Sequence, residues 1–404
     1  KIFSIFPDES ALDLANLPWA LVQSEQVSLW TDAQGELITR YLADNFPGNS
    51  SQLAAGAYQL GAPLGVTAKT VIREFALPPD SLVREAVTVR DSPYIWGADL
   101  RKNRMLRLDP RTNEQKWYPV PFKGATGPHT VIGDADGKVW MSMIENDQFA
   151  RFDPDTDSWK LWTLTPKNLG QASAFAGQAA VHDIGFGADG ELKRDHKGRI
   201  WLTLAAMNMM ASVNPETDEV AAYAAPAVEG MGPVAASLYG TVVSEDGKCA
   251  WFTQLNGYFG CFNTETYKPE SLVPFAAGTG PRRMARDHQD TIWVPLYGAG
   301  QIMKYDGRKR RVIKTYDLPD RRAGPYALTW DAKRKALWAT TSNADVIYRF
   351  DPRHERFTVY PLPRRGAYLR QLGLDPASGQ LIGSYGNIPA GSGPSMAVMI
   401  DVGD

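Results

Sequence analysis

The side chains with the clearest chemical potential recur at one position of a repeated sequence unit. Counting back from the tryptophan or the first turn of each unit aligns seven residues: Glu85, His129, His182, Val234, Arg282, Tyr326 and Arg370. Five of the seven are glutamate, histidine or arginine, whereas a packing position would carry small or apolar residues. Neighbouring positions add three polar residues: Asp183, Arg283 and Gln371. The remaining histidines lie in polar turn segments, where we expect them on the surface: His196, His288 and His354.

One chemistry that fits this set is metal binding. Glu85, His129 and His182 make a two-histidine, one-carboxylate set for a divalent ion. Mixed imidazole and carboxylate ligands suit Zn, Fe or Mn better than Ca, and Mg is a further candidate. On this hypothesis the three residues are both the metal ligands and the catalytic residues.

The other chemistry is acid–base catalysis with an anion-binding wall. One histidine acts as general base or acid. Arg282, Arg283 and Arg370 then bind the substrate and hold its negative charge, and Tyr326 offers an aromatic face. The two chemistries are compatible with each other. The alternative to both is structural, with the arginines only balancing acidic neighbours inside the fold.

The elements that must position these residues form a repeat of about 40–50 residues, starting near residue 82. Its clearest copy spans residues 127–166 and holds four stretches with strand periodicity, separated by turn residues. Four short strands per repeat are typical of a β-propeller blade. Second-strand tryptophans mark six copies: Trp96, Trp140, Trp201, Trp251, Trp293 and Trp338.

A seventh unit begins at Gly366 and lacks its own outer strand. Residues 71–79 carry that missing strand ahead of the first unit, so we expect the N-terminal strand to close the ring. The prediction is an all-β, seven-bladed β-propeller over residues 69–404. Residues 1–68 are predicted as a short helical N-terminal extension and linker, with helices near 9–24 and 32–45.

Charge, apolar runs and cysteine content restrict the partners and the compartment. Forty-three basic and 45 acidic residues give a net charge of −2, which argues against nucleic acid as a partner. No apolar run reaches about 18 residues, so no membrane span is predicted. The chain opens at Lys1 without methionine, and we expect a processed, periplasmic or secreted protein. Cys249 and Cys261 flank a predicted hairpin turn about three residues out of register, which leaves both a disulfide and two buried thiols open.

Two further segments suggest protein contacts. Residues 31–46 resemble the last helix of a small c-type cytochrome domain, yet the chain has no Cys-x-x-Cys-His motif, so no haem is expected in it. The methionine-rich run at 207–210 falls on a predicted hairpin loop. It is either an adaptable contact surface or ordinary hairpin packing.

The repeat unit itself, Gly-Pro-[His/Tyr] followed by Asp-Gly-x-[Val/Ile]-Trp, Asp-Pro-x-Thr and Tyr-Pro-Leu-Pro, resembles that of the virginiamycin B (streptogramin) lyase family. The resemblance covers residues 69–404 and implies a seven-bladed propeller and Mg-dependent C–O elimination. It also implies catalytic histidines at the first-strand starts of adjacent blades, which His129 and His182 match in position. The family's two carboxylates are replaced by Ala180 and Ala205, so Glu85 or Glu145 would have to substitute.

These observations predict an enzyme of the lyase-like propeller class. It would act on a small organic ester, lactone, ether or sugar-acid substrate at one mouth of the central channel. The rival prediction is a non-catalytic interaction propeller that binds a cytochrome or another cell-envelope protein.

Overall fold

The computed structural model describes residue 40 and residues 65–122, 124, 126–164, 179–386 and 395–403. Among these, 28 strands form seven antiparallel sheets of four strands each, which confirms the predicted seven-bladed β-propeller. The predicted helices near 9–24 and 32–45 lie outside the described residues, apart from position 40. No helix in the described ranges is long and apolar enough to cross a membrane.

The first four blades each run from an inner to an outer strand along the chain. Blades one and two are β2 (Val83–Thr88), β3 (Ile95–Asp99), β4 (Arg104–Leu108), β5 (Gln115–Pro119), β6 (Pro128–Gly133), β7 (Val139–Met143), β8 (Gln148–Asp153) and β9 (Ser158–Thr163). Blades three and four are β10 (Val181–Ile184), β11 (Ile200–Leu204), β12 (Met209–Asn214), β13 (Glu219–Ala224), β14 (Leu238–Val243), β15 (Cys249–Gln254), β16 (Tyr258–Asn263) and β17 (Pro269–Pro274).

Two complete blades and the closing blade follow. They are β18 (Ala285–Arg286), β19 (Thr291–Leu296), β20 (Gln301–Asp306), β21 (Arg311–Asp317), β22 (Pro325–Asp331), β23 (Ala336–Thr341), β24 (Val346–Asp351), β25 (Arg356–Pro361), β26 (Leu369–Leu374), β27 (Leu381–Tyr385) and β28 (Met396–Asp401). Short helical segments occur at Gly65–Lys69, Pro233–Ala236 and Arg321–Ala323.

The ring closes as predicted. The first strand, β1 (Val71–Ala76), pairs antiparallel with β28 from Val71 opposite Asp401 to Ala76 opposite Met396. Blade seven therefore contains both ends of the propeller, and its sheet has the order β1-β28-β27-β26. This pairing gives blade seven its fourth strand and joins the two ends of the propeller in one sheet.

The second-strand tryptophans are the main packing elements of the blades. All six are at most 1% exposed. In blades two and three the indole Nε1–H donates to the aspartate of the preceding turn, Trp140 to Asp134 at 2.6 Å and Trp201 to Asp195 at 2.8 Å. Trp338 donates to Asp331 in the same way, at 3.2 Å, so in these three blades the turn and the tryptophan form one hydrogen-bonded unit.

Ring closure should be detectable as a loss of stability. Phe75 on β1 is 7% exposed and packs with Val83, Ile95 and Leu106 of blade one. We expect Phe75→Ala to lower the free energy of unfolding by about 3–5 kcal/mol in a urea titration, because it leaves a cavity at the seam. Val71→Ala on the same strand is the matched control, since Val71 is 56% exposed. Equal losses for the two variants would mean that β1 does not close the ring.

Two sequence expectations about blades three and four are now decided. Cys249 and Cys261 form a disulfide, with Cα atoms 5.5 Å apart and a register offset of two residues rather than three. The run at 207–210 is no exposed contact surface, because its three methionines are at most 6% exposed. Of the two interpretations of that run, hairpin packing is the correct one.

Candidate functional site

A bulge in the inner strand positions the site. In blade two, Pro128 pairs with Met143 and Val131 with Met141, so two inner-strand residues oppose one residue of the next strand. The same irregularity recurs between Pro325 and Leu328 in blade six. A bulge of this kind aims two consecutive side chains toward the same side. Each blade can therefore supply two side chains to the channel.

Aligning the bulges defines two layers of channel residues. The upper ring comprises Arg84, His129, His182, Tyr239, Arg282, Tyr326 and Arg370. The lower ring comprises Glu85, Thr130, Asp183, Gly240, Arg283, Ala327 and Gln371. Every member of the upper ring is at most 9% exposed.

Two of the seven aligned positions were assigned wrongly from sequence. In blade one the upper-ring residue is Arg84, and Glu85 belongs to the lower ring. In blade four it is Tyr239, because Val234 lies in a short helix that precedes the inner strand. Tyr239 could have been found by counting from the pairing of Trp251 with Val242 instead of from the turn.

The two histidines lie together at the axis, as predicted. Their ring centroids are 4.6 Å apart. His182 Nδ1 is 3.0 Å from the Tyr239 carbonyl oxygen, which can only accept, so Nδ1 carries the hydrogen and Nε2 has the lone pair. In His129, by contrast, both ring nitrogens face arginine side chains: Nε2 lies 3.3 Å from Arg84 Nη2, and Nδ1 lies 3.2 Å from Arg283 Nη2. His182 is therefore the better placed of the two to accept a proton from a ligand.

Arg283 occupies the centre of the lower ring. Its Nη1 forms a close ion pair with Glu85, and its Nη2 lies 3.9 Å from Asp183 Oδ1 and donates to Thr130 Oγ1 at 2.7 Å. Burial raises the pKa of Glu85 to about 7 even though Arg283 opposes the shift. Burial likewise raises the pKa of Asp183 against the influence of Arg283. Arg283 is the cation that both carboxylates share, and Arg84 also lowers the pKa of Glu85.

Glu85 and His129, two of the three predicted metal ligands, are in contact with the Arg283 guanidinium, which supplies a positive charge where a divalent ion would lie. Glu85 already pairs with Arg283, and His182 uses Nδ1 to hold a backbone carbonyl. His129 Nδ1 lies 3.7 Å from Glu85 Oε1 with the guanidinium beside both. Within the described ranges, no group of three His, Cys, Asp or Glu side chains could hold a metal ion. Metal binding by these three residues stays a prediction, and elemental analysis of the purified protein tests it.

Arg282 and Arg370 differ from Arg283 because no hydrogen-bond acceptor among the described residues faces their guanidinium groups. Their Nε and Nη1 atoms are buried without a hydrogen-bond partner. Aromatic faces hold them instead: Arg282 lies 4.0 Å from the ring centre of Tyr297 and 4.9 Å from that of Tyr326, and Arg370 lies 4.0 Å from that of Tyr368. The sequence predicted arginines here, but not that they would lack counter-ions.

Tyr326 stands between those two arginines in the ring. Its hydroxyl forms a short hydrogen bond with the Tyr239 hydroxyl. Burial alone would raise the pKa of Tyr326, but the arginines around it, Arg282 and then Arg370 foremost, bring the pKa below its ordinary value. Tyr326 is therefore a stronger acid than an ordinary phenol and is suited to donate a proton.

Glu145, the other carboxylate proposed from sequence, is half-buried beside the upper ring. Burial raises its pKa, and Arg84 opposes that shift. It forms no part of the hydrogen-bonded histidine cluster among the described contacts. Its role as a substitute carboxylate stays a prediction.

The channel continues below the lower ring toward the opposite mouth. A narrow cavity lies there, and Glu85, Asp183 and Arg283 contribute to its lining. Arg90 Nε donates to Glu191 Oε1 at 2.7 Å, which joins the turn after β2 in blade one to the long turn of blade three at this mouth. The sequence left open which mouth of the channel carries the chemistry. The upper ring, with both histidines, lies toward the mouth opposite this cavity.

The histidines should make the fold sensitive to acid. Burial is the main reason that the pKa of each lies well below 6.5, reinforced for His129 by His182 and for His182 by Arg283. Below about pH 6.5 the two histidines bind protons in the unfolded chain but stay neutral in the native state. Their contribution therefore lowers the free energy of unfolding as the pH falls. The pKa of Glu85, raised to about 7, acts in the opposite direction between pH 4.5 and 7.

A comparison of variants isolates the histidine contribution to this pH dependence. Between about pH 7.5 and pH 5.5 we expect the free energy of unfolding to fall less in His182→Gln than in wild type. His354→Gln is the control, because His354 is an exposed turn residue. An unchanged pH dependence in His182→Gln would show that the imidazole titrates normally in the native state.

Comparisons with known proteins bear on the fold. No protein-family model matches the sequence, and no curated protein matches it either. Solved structures do match: a streptogramin B lyase has a TM-score of 0.66 at 17% identity, covering 84% of this chain and 99% of its own. Selenomethionine-substituted virginiamycin B lyase from Staphylococcus aureus has a TM-score of 0.63 at 16% identity, covering 82% and 99%.

A third match concerns a catalytically inactive histidine-to-alanine variant of the Staphylococcus aureus virginiamycin B lyase, solved with quinupristin. Its TM-score is 0.64 at 17% identity, and it covers 82% of this chain and 99% of its own. At this level of identity the likeness is one of fold. The chain thus has the seven-bladed propeller architecture of the streptogramin B lyases.

Proposed function

We propose that this protein is a lyase-type enzyme. It would remove a proton from a small organic ester, lactone, ether or sugar-acid substrate at the upper ring and expel an oxygen leaving group. The observation that carries the proposal is the composition of that ring, in which a neutral imidazole with its lone pair on Nε2 shares one layer with two guanidiniums that lack counter-ions. A ring that only packed would have no reason to leave buried cations unpaired.

The proposed reaction assigns a role to each side of the ring. His182 Nε2 takes the proton from the carbon beside the substrate carbonyl. The arginines of blades five and seven stabilise the enolate charge that develops. The released electron pair forms the carbon–carbon double bond as the C–O bond breaks, and the leaving oxygen takes a proton from Tyr326. His182 is regenerated when it passes its proton to solvent, and Tyr326 is regenerated by taking one up.

Heavy water offers a test that does not depend on naming the substrate in advance. Candidate esters, lactones, ethers and sugar acids would be incubated with the enzyme, and we expect deuterium in recovered substrate or a new double bond in the product. The double variant His129→Gln/His182→Gln should lose this activity while keeping the propeller spectrum. Full activity in that variant would refute the proposal. Stable co-purification with a cytochrome and no turnover would favour the interaction propeller.

A periplasmic or secreted location is proposed with it. The disulfide between Cys249 and Cys261 supports this, because such bonds persist in oxidising compartments. Thiol quantification on protein taken from the native cell, with alkylation before lysis, tests the location through the state of this pair.

A further inference from the structure

Two buried cations in the upper ring have no counter-charge. Arg282 is 9% exposed and Arg370 is 2% exposed, yet neither guanidinium forms an ion pair or a hydrogen bond with the described residues. Leaving a charged donor buried and unpaired is costly, so natural proteins rarely retain one without a ligand. Two such residues, in blades that flank the same tyrosine, point to a common ligand group.

The charges in the two rings also indicate a common ligand group. Four arginines lie in them, Arg84, Arg282, Arg283 and Arg370, against two carboxylates, Glu85 and Asp183. Both histidines are neutral, since burial holds the pKa of each well below its ordinary value. Even with both carboxylates ionised, four positive charges face two negative ones. The excess within the two rings is two positive charges. Glu145 lies outside the rings, near Arg84, whereas Arg282 and Arg370 have no carboxylate partner among the described residues.

The mode of packing leaves the donor edges of these arginines available. A guanidinium that lies over an aromatic face presents its N–H groups in its own plane, away from the ring. Arg282 lies over Tyr239, Tyr297 and Tyr326, and Arg370 lies over Tyr368. The tyrosine rings thus hold the two arginines by cation–π contact, which supplies no hydrogen-bond acceptor to their Nε and Nη1 atoms, and they line the surroundings with aromatic surface.

We infer that the upper ring recognises a carboxylate, so that the substrate is an organic acid rather than a neutral ester or lactone. This inference rests on the proposed function and narrows its substrate class. One of the two excess charges balances the carboxylate of the bound substrate, and the other balances the enolate formed when the proton is removed. The aromatic surroundings favour an acid with a ring or another flat apolar body.

Direct binding tests this without any turnover. Benzoate, benzamide and inorganic phosphate would be titrated calorimetrically into wild type and into Arg282→Gln, Arg370→Gln and Arg353→Gln. Benzamide has the shape of benzoate without its charge, and Arg353 is an exposed turn arginine, so its variant is a matched control for the loss of one charge. We expect benzoate to bind wild type and Arg353→Gln equally, and to bind each ring variant about ten-fold or more weakly. Far-ultraviolet circular dichroism and urea unfolding of each variant would confirm that it is folded.

Several outcomes would overturn the inference. These are equal binding of benzamide and benzoate, no binding of benzoate to wild type, and unchanged benzoate binding in both ring variants. Binding of phosphate but not benzoate would also overturn it, in favour of a phosphate ligand. Carboxylate binding that depends on both arginines, without any turnover, would uphold the inference while the lyase proposal fails. Turnover of a neutral ester that both ring variants retain would refute the inference and leave the lyase proposal intact.

Discussion

Replacing Arg283 by methionine is expected to lower the free energy of unfolding by about 3–5 kcal/mol. The substitution removes the guanidinium that pairs with Glu85 and lies 3.9 Å from Asp183, and both carboxylates are at most 2% exposed. Methionine fills much of the space, so the loss reflects two buried carboxyl groups left without their shared cation rather than a cavity. Urea unfolding at neutral pH measures it. On acidification the loss should shrink, because both carboxylates can then be protonated.

The neighbouring arginine supplies the matched control. Arg282→Met makes the same chemical change one residue earlier in the chain, but Arg282 has no carboxylate partner. We expect its stability to be unchanged or slightly higher, since an unpaired buried cation is removed. Equal destabilisation in the two variants would contradict the assignment of Arg283 as the counter-ion of the channel carboxylates.

Replacing His182 by glutamine is expected to reduce kcat about 10²–10⁴-fold on a substrate identified in the heavy-water screen. Glutamine retains a donor for the Tyr239 carbonyl but has no basic nitrogen. The effect should fall mainly on kcat, because the arginines that hold the substrate remain. Steady-state kinetics with wild type, His182→Gln and His354→Gln separates this loss from a general change in the protein.

His129 gives the internal comparison for that result. Both of its nitrogens lie against guanidiniums of Arg84 and Arg283, so it acts as a positioning residue. His129→Gln should therefore impair turnover less than His182→Gln, and should raise KM as the arginines shift. A larger loss of kcat in His129→Gln would reverse the assignment of the base.

The architecture was predictable because each blade repeats its own local chemistry. A buried tryptophan recurs on the second strand of six blades, and in three of them it is hydrogen-bonded to the aspartate of the turn before it, so its recurrence marks the blades directly. The closing strand was predictable from a missing outer strand at Gly366 and a surplus one at residues 71–79. Both predictions depend only on patterns among residues that are close together in the chain, and such patterns can be recognised in the sequence.

The site was predictable in part. His129, His182, Arg282, Tyr326 and Arg370 were aligned correctly, and each lies at the equivalent position of its own blade. Arg84 was missed by one residue, since Glu85 follows it directly on β2. Tyr239 was missed because Val234 belongs to the short helix that precedes β14. The absence of counter-ions at two arginines could not be predicted either, since it depends on which blades face one another.

The most direct test of this account is the protonation state of His182, observed by NMR on protein labelled in the histidine ring nitrogens and assigned with His182→Gln. The account predicts a neutral imidazole with its hydrogen on Nδ1, at neutral pH and still at about pH 6, because burial and then Arg283 hold the pKa well below 6.5. A protonated imidazolium at neutral pH, or a hydrogen on Nε2 with the lone pair on Nδ1, would contradict it, since Nε2 could then take no proton from a substrate.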